Sequence, residues 1–472
     1  MGNRRFWSFV LAAGILLLAG CAAPGTEPKR SDSSWEDEAV REGYAEFCEG
    51  RFFADELPEE ELPRPKRLIG SLEDFVYALD YMAFYRVDAE VFFDIDPDYA
   101  RSFFNPYTEF EKAYQQADLA DVYACRLEDA YYSDFGVVAV KYSMSRDLAE
   151  NPTKPDMPNR TVPSFDRRPA EKPIRTLPIE ASGRTPISCE NGEQLYYLAM
   201  NGYRPVPKPG SRAELLYHEA RNVLETYVAE GFSDFQKIKA VYDYLTTEIA
   251  YDRGTASSGE TYLVGEQAYY LEGVLLNHCA VCDGKAKACA LMLNMLEVPC
   301  FRTTGVREEA DHAWNMVRCE GRWYTCCTTY GQSRYLEELD RFVPNYGMML
   351  AGRQTPYPDR WQYEPQKHPE ICAQIQDGPY DVYEALGRYA GVSLKISDWT
   401  QAEEILACAK KQGLAEYKVE FAYVGGDPEE FKQRLAEYAE SENRLFAREI
   451  NCEGGRAYQI ICLKEHGRSD VE

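Results

Sequence analysis

Two residues of this chain have the type and setting for covalent chemistry, Cys282 and His312. Cys282 closes the run Asn277-His278-Cys279-Ala280-Val281-Cys282. It precedes Asp283-Gly284 and then Lys285-Ala286-Lys287-Ala288-Cys289-Ala290-Leu291-Met292-Leu293, an apolar run of helix-forming residues. That places the thiol at a helix N-terminus, where unpaired backbone amides and the helix dipole lower a thiol pKa. His312 lies in Asp311-His312-Ala313-Trp314-Asn315-Met316-Val317, whose alternation predicts a strand, followed by a Glu320-Gly321 turn and a second strand from Trp323-Tyr324. A helix-borne thiol and a strand-borne imidazole are the parts of nucleophilic acyl chemistry, once a fold brings them within hydrogen-bond reach. That chemistry needs no metal and no cofactor.

The elements that must position this pair precede and follow it. Helical periodicity runs over 212–230 through Leu215, Leu216, Ala220, Val223, Leu224 and Tyr227. It resumes over 234–249, with Phe235, Ile238, Val241, Tyr242 and Leu245 on one face. Helices, then a thiol-bearing helix, then an antiparallel sheet define an α+β domain, placed at 210–370. On either side the pattern predicts a smaller module of order αβαββ. In 67–145 it reads as helices over 72–84 and 107–119 with strands over 89–95, 121–128 and 135–142. In 371–472 it reads as helices over 401–411 and 428–439 with strands over 416–424, 445–451 and 457–463, and an added strand over 391–396. Residues 151–188 hold eight prolines and no sustained periodicity, so 146–209 reads as a linker or wrapping segment.

The chain opens with Arg4 and Arg5, an apolar stretch from Phe9 to Leu18, and Leu18-Ala19-Gly20-Cys21. The stretch is too short for a stable transmembrane span and has the flanks of a secretory signal, placed at 1–20. Leu-Ala-Gly-Cys resembles a bacterial lipobox, which implies lipid attachment to Cys21 and a protein tethered to the outer face of a bacterial cell membrane. An acidic spacer follows at 21–66, including Asp55, Glu56, Glu59, Glu60 and Glu61. The net charge of −26 excludes a nucleic-acid backbone or a broad acidic membrane surface as partner, leaving the lipid as the sole membrane contact. Fifteen cysteines at such an address permit disulfides. Setting Cys21 aside leaves an even number, which fixes no pairing. A reactive Cys282 leaves at least one other thiol unpaired among Cys279, Cys289, Cys326 and Cys327, and a cell living without oxygen keeps all of them reduced.

Four stretches in order, Phe235 to Leu245, Ala280-Val281-Cys282-Asp283-Gly284-Lys285-Ala286, Asp311-His312-Ala313-Trp314-Asn315 and Gly321-Arg322-Trp323-Tyr324, resemble the bacterial transglutaminase-like family of the papain-like cysteine enzymes. The resemblance implies Cys282 as nucleophile and His312 as base. It implies thiolate attack on an amide of a protein or cell-wall peptide, with acyl transfer to water or to an amine. The family's third member, an aspartate on the strand after Trp-Tyr, is replaced: counting from Trp323-Tyr324 puts Cys327 there. Asp311 is no substitute, because successive strand residues face opposite sides. Loss of the carboxylate lowers turnover about 10⁴-fold in a serine-protease triad. A cysteine nucleophile is partly ionised near neutral pH and needs less help. Trp314, Asn315 and Trp323 are candidates for the substrate cleft, with packing around the site as their other role.

Other chemistries fit parts of the pattern. Cys279 and Cys282 form a Cys-x-x-Cys, which at a helix start has redox character. Adding Cys326 and Cys327 gives four sulfurs, but adjacent cysteines make poor tetrahedral ligands. A Cys282–Cys327 disulfide would lock the nucleophile. The remaining alternative is a non-catalytic lipoprotein that holds a protein or peptide in the old cleft or on the flanking modules.

Overall fold

The computed structural model describes residues 52–462 except 58–60, 88, 102–105, 120–123, 132–136, 144–169, 171, 258–264, 308–309, 337–340, 354–360, 363–366, 412–416, 442–444 and 453–454. The signal, Cys21, most of the acidic spacer and most of the proline-rich stretch lie outside these residues. Among the described residues no helix is long and apolar enough to cross a membrane.

The fold is α+β, with helices packed on antiparallel and mixed sheets. The first module contains α1 (Leu72–Tyr85), β1 (Glu90–Ile95), α2 (Pro106–Gln116), β2 (Ala124–Tyr131) and β3 (Val137–Ser143). Ser71 starts α1 by accepting the amide of Asp74, one of the orphan donors of a helix start. β1 pairs antiparallel with β3, and the two-residue strand Leu68–Ile69 pairs parallel with its end at Asp94 and Ile95.

Where a linker or wrapping segment was expected over 146–209, residues 178–207 hold helix and strand. They hold α3 (Gly192–Met200), capped by Asn191, between the parallel strands Pro186–Cys189 and Arg204–Pro207. This helix joins the first module to the centre. Gln194 donates to the Phe84 carbonyl at 2.7 Å, the rings of Phe84 and Tyr197 meet, and Tyr196 donates to the Asp118 carbonyl at 2.6 Å. The prolines concealed it, because a short buried helix between two strands needs only nine residues free of them.

The central domain follows with α4 (Arg212–Tyr227) and α5 (Asp234–Thr247), the latter begun by a Ser233–Gln236 capping box. Next come α6 (Cys282–Met295), β4 (Cys300–Arg307), β5 (Ala310–Cys319) and β6 (Arg322–Cys326). β4, β5 and β6 form an antiparallel sheet with β5 in the middle. Glu320 and Gly321 between β5 and β6 both have positive φ, the geometry of a two-residue hairpin turn. Every residue of α6 from Gly284 to Met295 is buried, enclosed by α3, α5 and the sheet. The hairpin β7 (Gln332–Leu336) and β8 (Arg341–Pro344) packs on α5.

The second module begins with α7 (Val382–Ala390), then β9 (Lys395–Ile396), α8 (Trp399–Lys411), β10 (Tyr417–Tyr423), α9 (Pro428–Ser441), β11 (Leu445–Cys452) and β12 (Gly455–Cys462). β9 pairs parallel with the end of β10, and β10 pairs antiparallel with β12. Leu68–Ile69 and β1 are arranged in the same way in the first module, so the two modules share their topology.

A buried titratable cluster fastens the first module. Asp80 accepts the amides of Asp118 and Leu119, and the Asp118 carboxylate meets His368 Nε2 at 3.2 Å and the Asn201 amide. Burial lowers the His368 pKa, but the charge and hydrogen bond of Asp118 outweigh it and hold His368 above the usual imidazole value. Burial, with Asp118 beside it, pushes Asp80 up to about 7. A raised folded pKa contributes stability that is full below the unfolded pKa and is lost as pH rises through the folded one, and this holds for both groups. Asp118 is lowered despite its burial, by His368 first, so it acts in the opposite direction only as pH falls into the acid range. Urea unfolding is therefore expected to show stability falling by at least about 1 kcal/mol from about pH 5 to about pH 8, with Asp80→Asn flattening the fall. A flat wild-type profile contradicts this assignment.

Candidate active site

Cys282 is the first residue of α6 and is half-buried. Its N-cap, Val281, supplies no side-chain cap, so the helix start is set by tertiary contacts. The two-residue strand Cys279–Ala280 pairs parallel with Ala250–Tyr251, and the Val281 amide donates to the Ala268 carbonyl. Gly284 lies against the backbone of Ala268 and Tyr270, where a Cβ would run into the Ala268 carbonyl oxygen.

Charged groups fix the same turn from three elements. The Asp283 carboxylate pairs with Arg302 of β4 at 2.5 Å and with Lys287 of α6 at 3.0 Å, and Lys287 pairs with Glu193 of α3 at 3.2 Å. Lys287 also lies over the Tyr270 ring, 4.6 Å from its centroid. These residues were missed in the sequence because Lys285 and Lys287 read as helix formers. Nothing local distinguishes a buried lysine from a solvated one.

The Cys282 thiol takes a hydrogen bond from the backbone amide of Ala313, the residue after His312. Burial pushes the thiol up to about 11, with Asp283 and Cys327 adding to the rise and the Ala313 amide and Arg302 opposing it. The helix start was expected to lower it, but desolvation wins. Forming the thiolate at neutral pH therefore depends on a proton acceptor.

His312 is buried on β5 opposite Gly305, with its ring between those of Trp314 (5.8 Å, stacked) and Tyr330 (4.9 Å, edge-on). Its Nε2 meets Cys327 Sγ at 3.3 Å. Cys327 Sγ also accepts the Tyr330 amide at 3.4 Å. The Cys327 sulfur is thus in contact with the imidazole. Asp311 is exposed, and Asp283 is engaged with Arg302 and Lys287. Asp340 lies outside the described residues. Tyr251, whose phenol burial pushes upward, is electrostatically in reach of Cys282, Tyr330, Tyr269 and Cys327. Three tyrosines the sequence did not single out therefore surround the site.

The three cleft candidates have other positions. Trp314 is 2% exposed and supports the His312 ring. Asn315, 0% exposed, donates to the Ala286 carbonyl at 2.8 Å and so fastens α6 to the sheet. Trp323 packs with Phe301, Met316, Ile371 and Ile375. Each of the three thus has a packing role, with Trp323 only half-buried. A cavity of about 340 Å³ lined by Tyr227, Phe235, Tyr244 and Tyr389 holds none of the candidate catalytic residues.

Cys279, Cys282, Cys289, Cys300, Cys326 and Cys327 are free thiols. Cys289 is hydrogen-bonded by the thiols of Cys300 and Cys326 in the core. Among the described residues no group of three or more His, Cys, Asp and Glu could hold a metal ion.

Residues 221–326 match the model of the transglutaminase-like superfamily. This stretch is a transglutaminase-like domain of the papain-like cysteine-enzyme superfamily, and the match ends one residue before Cys327. Kyphoscoliosis peptidase of mouse is 24% identical over 169 residues, covering 32% of this chain and 25% of that protein. The human protein is 23% identical over 172 residues with the same coverage. The chain thus spans about a quarter of the length of these relatives. A crystal structure of a TGase aligns over 77% of this chain and 73% of that one, at 14% identity and a TM-score of 0.25.

Two outcomes are expected. Gly284→Ala should cost about 3 kcal/mol in urea unfolding, because the new methyl group meets backbone rather than a movable side chain. Iodoacetamide should label Cys282 at neutral pH in the wild type and at least about tenfold more slowly in His312→Ala, where the rate should climb only toward the unassisted thiol pKa. Equal rates would show that His312 does not act on the thiol.

Proposed function

We propose that the protein is a thiol acyl-transfer enzyme acting on an amide of a protein or cell-wall peptide, tethered by lipid on Cys21 to the outer face of a bacterial cell membrane. The observation that carries the chemistry is His312: its ring has Cys327 on one nitrogen, and its neighbour Ala313 binds the Cys282 sulfur. The Cys282 proton passes to Nδ1 of His312, and the thiolate attacks the amide carbonyl carbon. The oxyanion finds the Cys282 backbone amide, which at the first helical residue has no intrahelical acceptor. Collapse expels the amine, which takes the proton from the imidazolium. Water or a second amine then repeats the sequence in reverse and frees Cys282. Hydrolysis and transamidation share the first half, and the acceptor that reaches the thioester divides them.

A binding role without catalysis is favoured by one observation, the upward push on the Cys282 thiol by burial. The two readings separate in an assay with quenched-fluorescent peptides and with glutamine peptides plus a dansylated alkylamine. Catalysis predicts amide cleavage or dansyl incorporation that falls by at least about 10³-fold in Cys282→Ala and in His312→Ala. Peptide binding without turnover, unchanged by Cys282→Ala, overturns the enzyme.

A further inference from the structure

The unabsorbed group nearest the site is Lys285, one turn along α6 from Cys282 and 0% exposed. Its ammonium donates to the Leu245 carbonyl at 3.0 Å and to Gln332 Oε1 at 3.1 Å. Gln332 is held in that orientation by its own amide, which donates to the carbonyls of Thr246 and Ile249. Both partners of Lys285 are neutral dipoles. A buried ammonium so placed lacks the counter-charge that burial demands. Among the described residues, the ionisable groups bearing on it are two thiols, Cys327 and Cys279.

These thiols differ. Cys279 is surrounded by apolar packing with Asp252 in electrostatic reach, and both effects, burial first, push it up to about 12, so it remains protonated. Cys327 Sγ accepts the Tyr330 amide at 3.4 Å and lies 3.3 Å from His312 Nε2, which donates to it when that nitrogen carries the ring proton. N–H donors on a sulfur favour its anion.

We infer that Cys327 works as a thiolate with Lys285 as its buried counter-ion, so that an anionic sulfur supplies the negative charge His312 needs. The inference rests on the reading of Cys282 and His312 as nucleophile and base. The proton that leaves the Cys327 sulfur is held by the Lys285 amine, and no electrons move. When His312 later takes the Cys282 proton, its Nε2–H donates to the Cys327 sulfur, which stabilises the imidazolium. Lys285 touches no reacting atom; it is a positioning residue that keeps the third member charged. Burial pushes Lys285 down, and Cys327 and then Cys279 oppose that fall, leaving it at about 7.

The test reads charge rather than turnover. In the full chain, reduced and carrying Cys282→Ser to remove the nucleophile, absorbance near 240 nm at pH 7 reports remaining thiolate. Cys289, pushed down to about 5 by the Cys300 and Cys326 thiols, contributes a constant background, above which adding Cys327→Ser should remove one thiolate equivalent and adding Lys285→Met should remove most of the same equivalent. The chain has five histidines, so the His312 ring can be assigned by NMR. Its pKa should fall by about one pH unit or more in Cys327→Asn and be retained in Cys327→Asp. An unchanged signal on adding Cys327→Ser overturns the thiolate, and an unchanged signal on adding Lys285→Met overturns the counter-ion. If Lys285→Met does not fold, the Asn and Asp variants decide, and equal His312 pKa values in the two overturn the inference. A peptide assay without turnover, beside a thiolate that responds to both variants, would defeat the enzyme reading alone.

Discussion

The constraint on which the site depends is the enclosure of a charged helix. α6 is buried from Gly284 to Met295, yet its first turns carry Asp283, Lys285 and Lys287. Removing one member of a buried ion pair costs about 3–5 kcal/mol, whereas a side-chain cap contributes about 1 kcal/mol. This helix has no side-chain cap, so its start is placed by ions. Asp283 reaches β4 through Arg302, and Lys287 reaches α3 through Glu193. Buried pairs add little net stability over apolar packing, but each accepts only one geometry. Cys282 precedes Asp283 directly and inherits that geometry.

The same enclosure explains the role of α3. A linker could not supply a carboxylate at a fixed distance from Lys287, but a capped helix wedged between α6 and the first module can. Through Gln194, Tyr196 and Tyr197 that helix also carries the first module, so the module and the nucleophile share one support.

Local patterns disclosed the elements and the pair at the centre. The helices starting at Arg212, Asp234 and Cys282, the Glu320–Gly321 hairpin and the αβαββ modules follow from periodicity, caps and turn chemistry, which act within a few residues. Cys327 was placed by counting along the strand, and the structure puts its sulfur on His312. The partners of buried charges were not legible. Lys285 and Gln332 are separated by the whole sheet in sequence, and Glu193 is nearly a hundred residues from Lys287. The packing partners of Trp314, Asn315 and Trp323 were not legible for a related reason. Adjacency to a catalytic residue on a strand specifies a face, and only the layers above and below determine whether that face meets solvent or core.

Cys326 and Cys327 show how much one residue of strand alternation decides. Cys326 turns toward α6 and joins Cys289 in a buried thiol contact, while Cys327 turns to the imidazole. The first behaves as a small apolar residue with a weak hydrogen bond, and the second lies against a titratable ring. A sulfur there differs from a carboxylate in one chemical respect: it can be oxidised. Cys327 lies on the His312 ring and Cys282 on the amide of the next residue, so oxidation of Cys327 alters a group in contact with the imidazole. Acyl transfer of the proposed kind would therefore depend on a reduced Cys327 as well as a reduced Cys282.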